Sequence, residues 1–140
     1  MDVIPCAMFQ TPVYSARPAP LSVARLQKAA VGLSEIFAAP GAEAAATGFV
    51  LTQISRDAGP VLWIQDRQAR QETGRPFLAG LGLKTRLMVM QLSRPMDVML
   101  AIEEGLRCRT LAAVIAEIRG NHPAVNFTSM KRLVLRSEAS

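Results

Sequence analysis

Histidine, cysteine and aromatic residues are scarce in this chain of 140 residues. His122 is the sole histidine, which argues against a His-based metal site and against a Ser-His-Asp triad. Cys6 and Cys108 follow no metal-binding or disulfide-framework spacing and are expected to be reduced thiols in a cytoplasmic protein. One Trp and one Tyr are too few for the stacking platform of a dedicated single-strand binder. No apolar run approaches the roughly 18 residues of a membrane-spanning helix, so no membrane contact is expected. The start, Met1-Asp-Val-Ile-Pro-Cys6, lacks a basic segment followed by an apolar one, so no secretory signal is expected either. What the chain does have is apolar content, 50% of residues, enough to build the core of one domain. Basic residues exceed acidic ones by 16 to 11, which permits an anionic partner, but they are scattered and form no block.

The chain is organised around residues 33–48. A short apolar run, Leu33 to Ala39, reads as a buried strand that ends in the turn Pro40-Gly41 and gives way to an Ala-rich helix from about Ala42 to Arg56. Strand, tight glycine turn and helix are the context of a phosphate-cradling P-loop. Counted from Gly41, however, the Gly-Lys-Ser/Thr positions of that motif hold Ala46, Thr47 and Gly48. Thr47 has no ammonium for a phosphate and Gly48 no hydroxyl for Mg²⁺. The loop is therefore a degenerate one, and a corner without a ligand is its plainer reading.

Ahead of it, residues 1–20 carry Pro5, Pro12, Pro18 and Pro20 and read as an irregular arm, with one short extended piece around Phe9 to Tyr14. Residues 21–140 form the domain. Ser22 caps a short helix, Val23 to Val31, stopped by Gly32. Beyond the central corner, Val61 to Gln65 is a continuous apolar strand that delivers Asp66 and Arg67 to its carboxyl end. A short polar helix follows, then a third strand, Leu87 to Leu92. Ser93 caps and Pro95 opens a helix to Arg107 whose inner stripe is expected to be Met96, Met99, Ile102 and Leu106. Leu111 to Ile118 is the fourth strand, with Glu117 near its carboxyl end. Thr128 caps a last helix, Ser129 to about Ser137, whose Lys131, Arg132 and Arg136 make either a solvated face or a contact for a partner or DNA. Strands alternating with helices require crossover connections, so the fold class is α/β, a mostly parallel sheet with helices on both faces.

Several stretches resemble the RecA-like fold, and within it the ImuA group, also labelled SulA-like. Glu35-Ile-Phe before Pro40-Gly41 resembles the run into the RecA P-loop; Gly59 to Trp63 with Asp66-Arg67 is similar to the second strand of ImuA proteins. Pro76 to Leu83 resembles the segment before the third RecA strand. Ala101-Ile-Glu103-Glu104-Gly-Leu-Arg107-Cys108, Leu111 to Glu117 and Phe127 to Leu133 are the most specific pieces. The family usually continues into a further strand, so the last strand is expected to be missing here. The Walker lysine is absent, as in many ImuA-type proteins. The resemblance places Glu117 at the Walker B carboxylate and Asp66 near the catalytic-glutamate position. Two carboxylates at strand ends could hold Mg²⁺ with a nucleotide's help, but without the lysine and hydroxyl they read as remnants.

What the resemblance implies is a non-catalytic, cytoplasmic protein-interaction module of the SOS mutasome, supporting error-prone translesion DNA synthesis without a cofactor or metal. Its partners would be a Y-family polymerase homologue and RecA, with weak DNA contact at most. The alternatives are a weak ATPase that uses Asp66 and Glu117, and a SulA-like inhibitor of cell division. In a RecA-like sheet the strand after the final helix lies beside the P-loop strand, so its absence would bare an apolar edge. Residues 8–14 drawn across the gap, or a second copy in a homodimer, would cover it.

Overall fold

The computed structural model describes residues 6–11, 32–54, 59–81 and 86–139. The helix expected over 23–31 lies outside them. The elements are β1 (Cys6–Thr11), β2 (Leu33–Phe37), α1 (Glu43–Gln53), β3 (Val61–Asp66), α2 (Arg67–Thr73), β4 (Leu87–Leu92), α3 (Pro95–Arg107), β5 (Ala113–Arg119) and α4 (Phe127–Glu138), with a 3₁₀ turn at Leu78–Gly80. The strands form one five-stranded sheet in the order β2-β1-β5-β3-β4, and every pairing is parallel. The architecture is α/β with a parallel sheet covered by helices on both faces, consistent with a RecA-like domain.

The pleat sorts the core into two halves. On one face, Val61 and Trp63 of β3 and Ala113 and Ile115 of β5 pack under Ala46 and Val50 of α1 and Ile54 beyond its end. On the other, Leu62 and Ile64 with Val114, Ala116 and Ile118 pack under α3 and Leu133 of α4. Alternate side chains of a strand point to opposite faces, so strands covered on both sides read as unbroken apolar runs. All six residues of β3 are buried for that reason. Gly105 brings α3 close to the sheet: a β-carbon there would lie 3.1 Å from side-chain atoms of both Leu62 and Val114.

Four expectations are corrected. The arm is not irregular over Cys6–Thr11: this segment is β1, paired with β2 on one side and β5 on the other. It occupies the place beside β2 where a RecA-like sheet would put a strand from beyond the last helix. The strand Leu33–Phe37 is not buried, because it stands at the sheet edge and Phe37 is exposed. Met96 is exposed as well, since the inner stripe of α3 is Val98, Met99, Ile102, Gly105 and Leu106. That set follows the 3.6-residue turn, whereas the spacing from Met96 drifts off the face. Finally, Asn126 rather than Thr128 caps α4: its side chain accepts from Ser129 N, and Ser129 Oγ accepts from Asn126 N, both at 3.0 Å.

Candidate functional site

The chain leaves β2 through Ala38 and Ala39 and turns at Pro40-Gly41, where Gly41 adopts φ +83°. Only glycine holds that conformation without strain. The turn closes with Ala42 N donating to Ala39 O at 2.9 Å, and α1 begins at once with Glu43. Ala46, Thr47 and Gly48 therefore lie inside the helix instead of in an open loop. Ala46 is buried against the sheet, Thr47 is half-buried and Gly48 is exposed.

Glu43 places a carboxylate in the first turn of α1. The Glu43 carboxyl is held below the usual carboxylate range first by its own backbone N–H, then by the N–H of Gly41 and by Arg119, against the opposing effect of burial. Arg119 Nη1 lies 3.4 Å from Glu43 Oε1 and 3.4 Å from Glu72 Oε2, and the Arg119 side chain is only 11% exposed. A cation from the end of β5 thus spans from the first turn of α1 to the last turn of α2. Sequence reasoning missed both Glu43 and Arg119. The available signal was an acidic residue in the first turn after Pro40-Gly41, where a helix N-terminus attracts negative charge.

The two expected acidic positions come from neighbouring strands, with Gln65 of β3 in register with Glu117 of β5. Residues in register share a face, so Glu117 faces the same way as Gln65, and Asp66 belongs to the opposite face. Both carboxylates are engaged. Asp66 Oδ1 accepts from Ala69 N at 2.6 Å, capping α2, while its Oδ2 accepts from Arg119 N at 3.0 Å. Glu117 Oε1 accepts from Trp63 Nε1 at 3.1 Å, and its Oε2 accepts from Gln65 Nε2 at 2.9 Å and Thr73 Oγ1 at 3.3 Å. The partners Trp63, Gln65 and Thr73 were not singled out from sequence, although a glutamine at the end of an apolar run must find a partner. Every oxygen of the pair accepts from a neutral protein donor.

Between these groups lies a cavity of about 30 Å³, bounded by Ala38, Glu43, Thr47, Thr73, Glu117 and Arg119. It has room for a water molecule. Among the described residues, no group of three or more His, Cys, Asp or Glu side chains is placed to hold a metal ion.

The basic face of α4 is partly committed to the fold. Glu103 of α3, 13% exposed, accepts from Arg132 Nε at 3.1 Å and lies 3.6 Å from Arg136 Nε. Lys131 is exposed on the next position of the helix. Glu104 points elsewhere and pairs with Arg107 at 3.0 Å, as its offset of about 100° from Glu103 requires. His122 is structural, its Nδ1 accepting from Ala124 N at 3.1 Å. Cys108 is exposed, and the Thr110 hydroxyl, 3.2 Å from its sulfur, holds the thiol below the ordinary cysteine range.

No family model, no curated protein and no solved structure matches this chain. Among the described residues, no helix is long and apolar enough to cross a membrane.

Proposed function

We propose that this chain is an ImuA-like accessory protein of the RecA-like class, acting through protein contacts and without nucleotide chemistry. In this reading it works in the cytoplasm within an SOS mutasome, beside a Y-family polymerase homologue and RecA, in error-prone translesion synthesis. The observation that supports the non-catalytic part is the seat of Glu43. The Glu43 carboxylate, at the first position of α1, pairs with Arg119 at 3.4 Å, beside the place where a nucleotide enzyme would receive a phosphate. The engaged states of Asp66 and Glu117 point the same way. The assignment to the mutasome rests on the local resemblances from Glu35 to Leu133.

The test is co-expression of the full chain with an affinity-tagged Y-family polymerase homologue encoded beside it. Stable co-purification, together with loss of damage-induced mutagenesis when the gene is deleted, is the expected result. Capture of the cell-division GTPase instead, with blocked septation on overexpression, would replace this reading with the SulA-like one.

A further inference from the structure

The face of the sheet opposite the Glu43 turn carries a groove of about 560 Å³ between α3 and α4. Both helices follow parallel strands, β4 and β5, and so both begin at the same end of the sheet. The groove is walled by their first turns and by the segment leading into α4. Met99 is buried at its base, while Met96 (55% exposed), Leu100 (51%) and Phe127 (82%) stand open to solvent around it. Met96 and Leu100 are one helical turn apart, so they form a continuous apolar ridge. Large apolar side chains clustered around a concavity mark interaction sites far more often than single exposed ones do. Methionines give such a surface an adaptable lining.

Charge decides what fits. Among the described residues, no aspartate or glutamate lines the groove; the charged or ionisable side chains among its described lining residues are Arg132 and His122. Arg132 shares the Glu103 carboxylate with Arg136, and exposed Lys131 adds a positive charge beside it. The remaining carboxylate in the first turn of α3, Asp97, is neutralised by Arg94 through two bonds of 2.9 Å. The N-termini of α3 and α4 also direct the positive ends of their dipoles toward this end of the molecule.

We infer that the groove receives an acidic amphipathic helix of a partner protein. Its apolar side chains, spaced i, i+3, i+4 and i+7, cover Met96, Leu100 and Phe127, and its carboxylates meet Arg132 and Lys131. This deepens the protein-contact reading above and rests on it.

The test uses the full chain carrying ¹³C-labelled methionine methyls and two synthetic helical peptides of about 18 residues. Both share one apolar stripe; one has glutamate and the other lysine at the polar positions. The Glu peptide shifts the Met96 and Met99 methyl signals with saturation in the micromolar range, and the Lys peptide leaves them in place. Phe127→Ser and Arg132→Gln each weaken the Glu peptide by about tenfold or more while the urea midpoint stays near that of the parent. Equal binding of both peptides would overturn the charge argument. Shifts that appear on concentrating the chain alone, or on adding neutral phosphatidylcholine vesicles, would assign the groove to a second copy or a lipid surface and overturn the inference. Silence toward the Glu peptide at millimolar concentration, with co-purification of the polymerase homologue intact, would remove the groove from the interaction and leave the broader reading standing.

Discussion

Replacing Glu117 with alanine removes the acceptor on which the interior of the α1 face is built. Trp63 and Gln65 are each 1% exposed, and both donate an N–H to this carboxylate. Thr73 loses least, because its single hydroxyl proton is better placed for Ala69 O, at 2.7 Å, than for Glu117 Oε2, at 3.3 Å. Each orphaned buried donor costs about 1–3 kcal/mol. Two of them, less the relief of no longer burying a carboxylate, give about 2–4 kcal/mol. That is a large part of the roughly 5–15 kcal/mol by which a domain is stable. At a urea dependence of about 1–3 kcal/mol per molar, the midpoint falls by about 1–2 M. Trp63 is the only tryptophan and touches the altered atom, so its fluorescence both follows the unfolding and reports the lost bond before it. Glu117→Gln, which keeps one acceptor oxygen and the volume, falls less far. Gln65 Oε1 has no partner of its own, so Glu117→Leu combined with Gln65→Leu is less destabilised than the two single changes added together. A Glu117→Ala midpoint equal to that of the parent would refute the structural role assigned here.

Three further outcomes follow from the same geometry. Glu103→Ala removes the carboxylate that pairs with half-exposed Arg132; it costs about 1 kcal/mol or less and strengthens binding to heparin or duplex DNA in a salt-sensitive way, and unchanged retention on a heparin column would contradict it. Thr110→Val removes the hydroxyl that favours the Cys108 thiolate, so alkylation mapped to Cys108 slows near neutral pH; an unaltered rate would show that the contact is idle. A carboxyl held low in the folded state binds its proton less readily than in the unfolded chain, so the stability from Glu43 is present above the ordinary carboxylate range and is lost as pH falls through the folded value. Arg119→Ala moves the Glu43 titration upward in an NMR pH series, and a curve that does not move would dissociate the two groups.

The central strands were legible because burial on both faces writes itself as an apolar run, as in Val61 to Ile64 and Ala113 to Ala116. Pro95 announced the start of α3 through its fixed φ and missing N–H. β1 was hidden: it lies between Pro5 and Pro12, and its partners are about a hundred residues away in β5 as well as nearby in β2. Whether β2 stands inside or at the edge is a property of strand order, which no local pattern encodes. The positions of Asp66 and Glu117 at strand ends could be read, because alternating strands and helices bring those ends together. Their occupation could not. It depends on the register of β3 against β5 and on Thr73 and Arg119 arriving from other elements. The open side of α3 was likewise misjudged, since Met96 fits an apolar spacing in sequence but sits beyond the width of the buried face.

Equilibrium titration of the full chain with a fluorescent ATP analogue in the presence of Mg²⁺ bears most directly on the proposal that the chain acts without nucleotide chemistry. With Glu43 paired to Arg119, and with no lysine at position 47 to clamp the phosphates, binding no tighter than millimolar is predicted. Micromolar affinity that disappears in Arg119→Ala would contradict it.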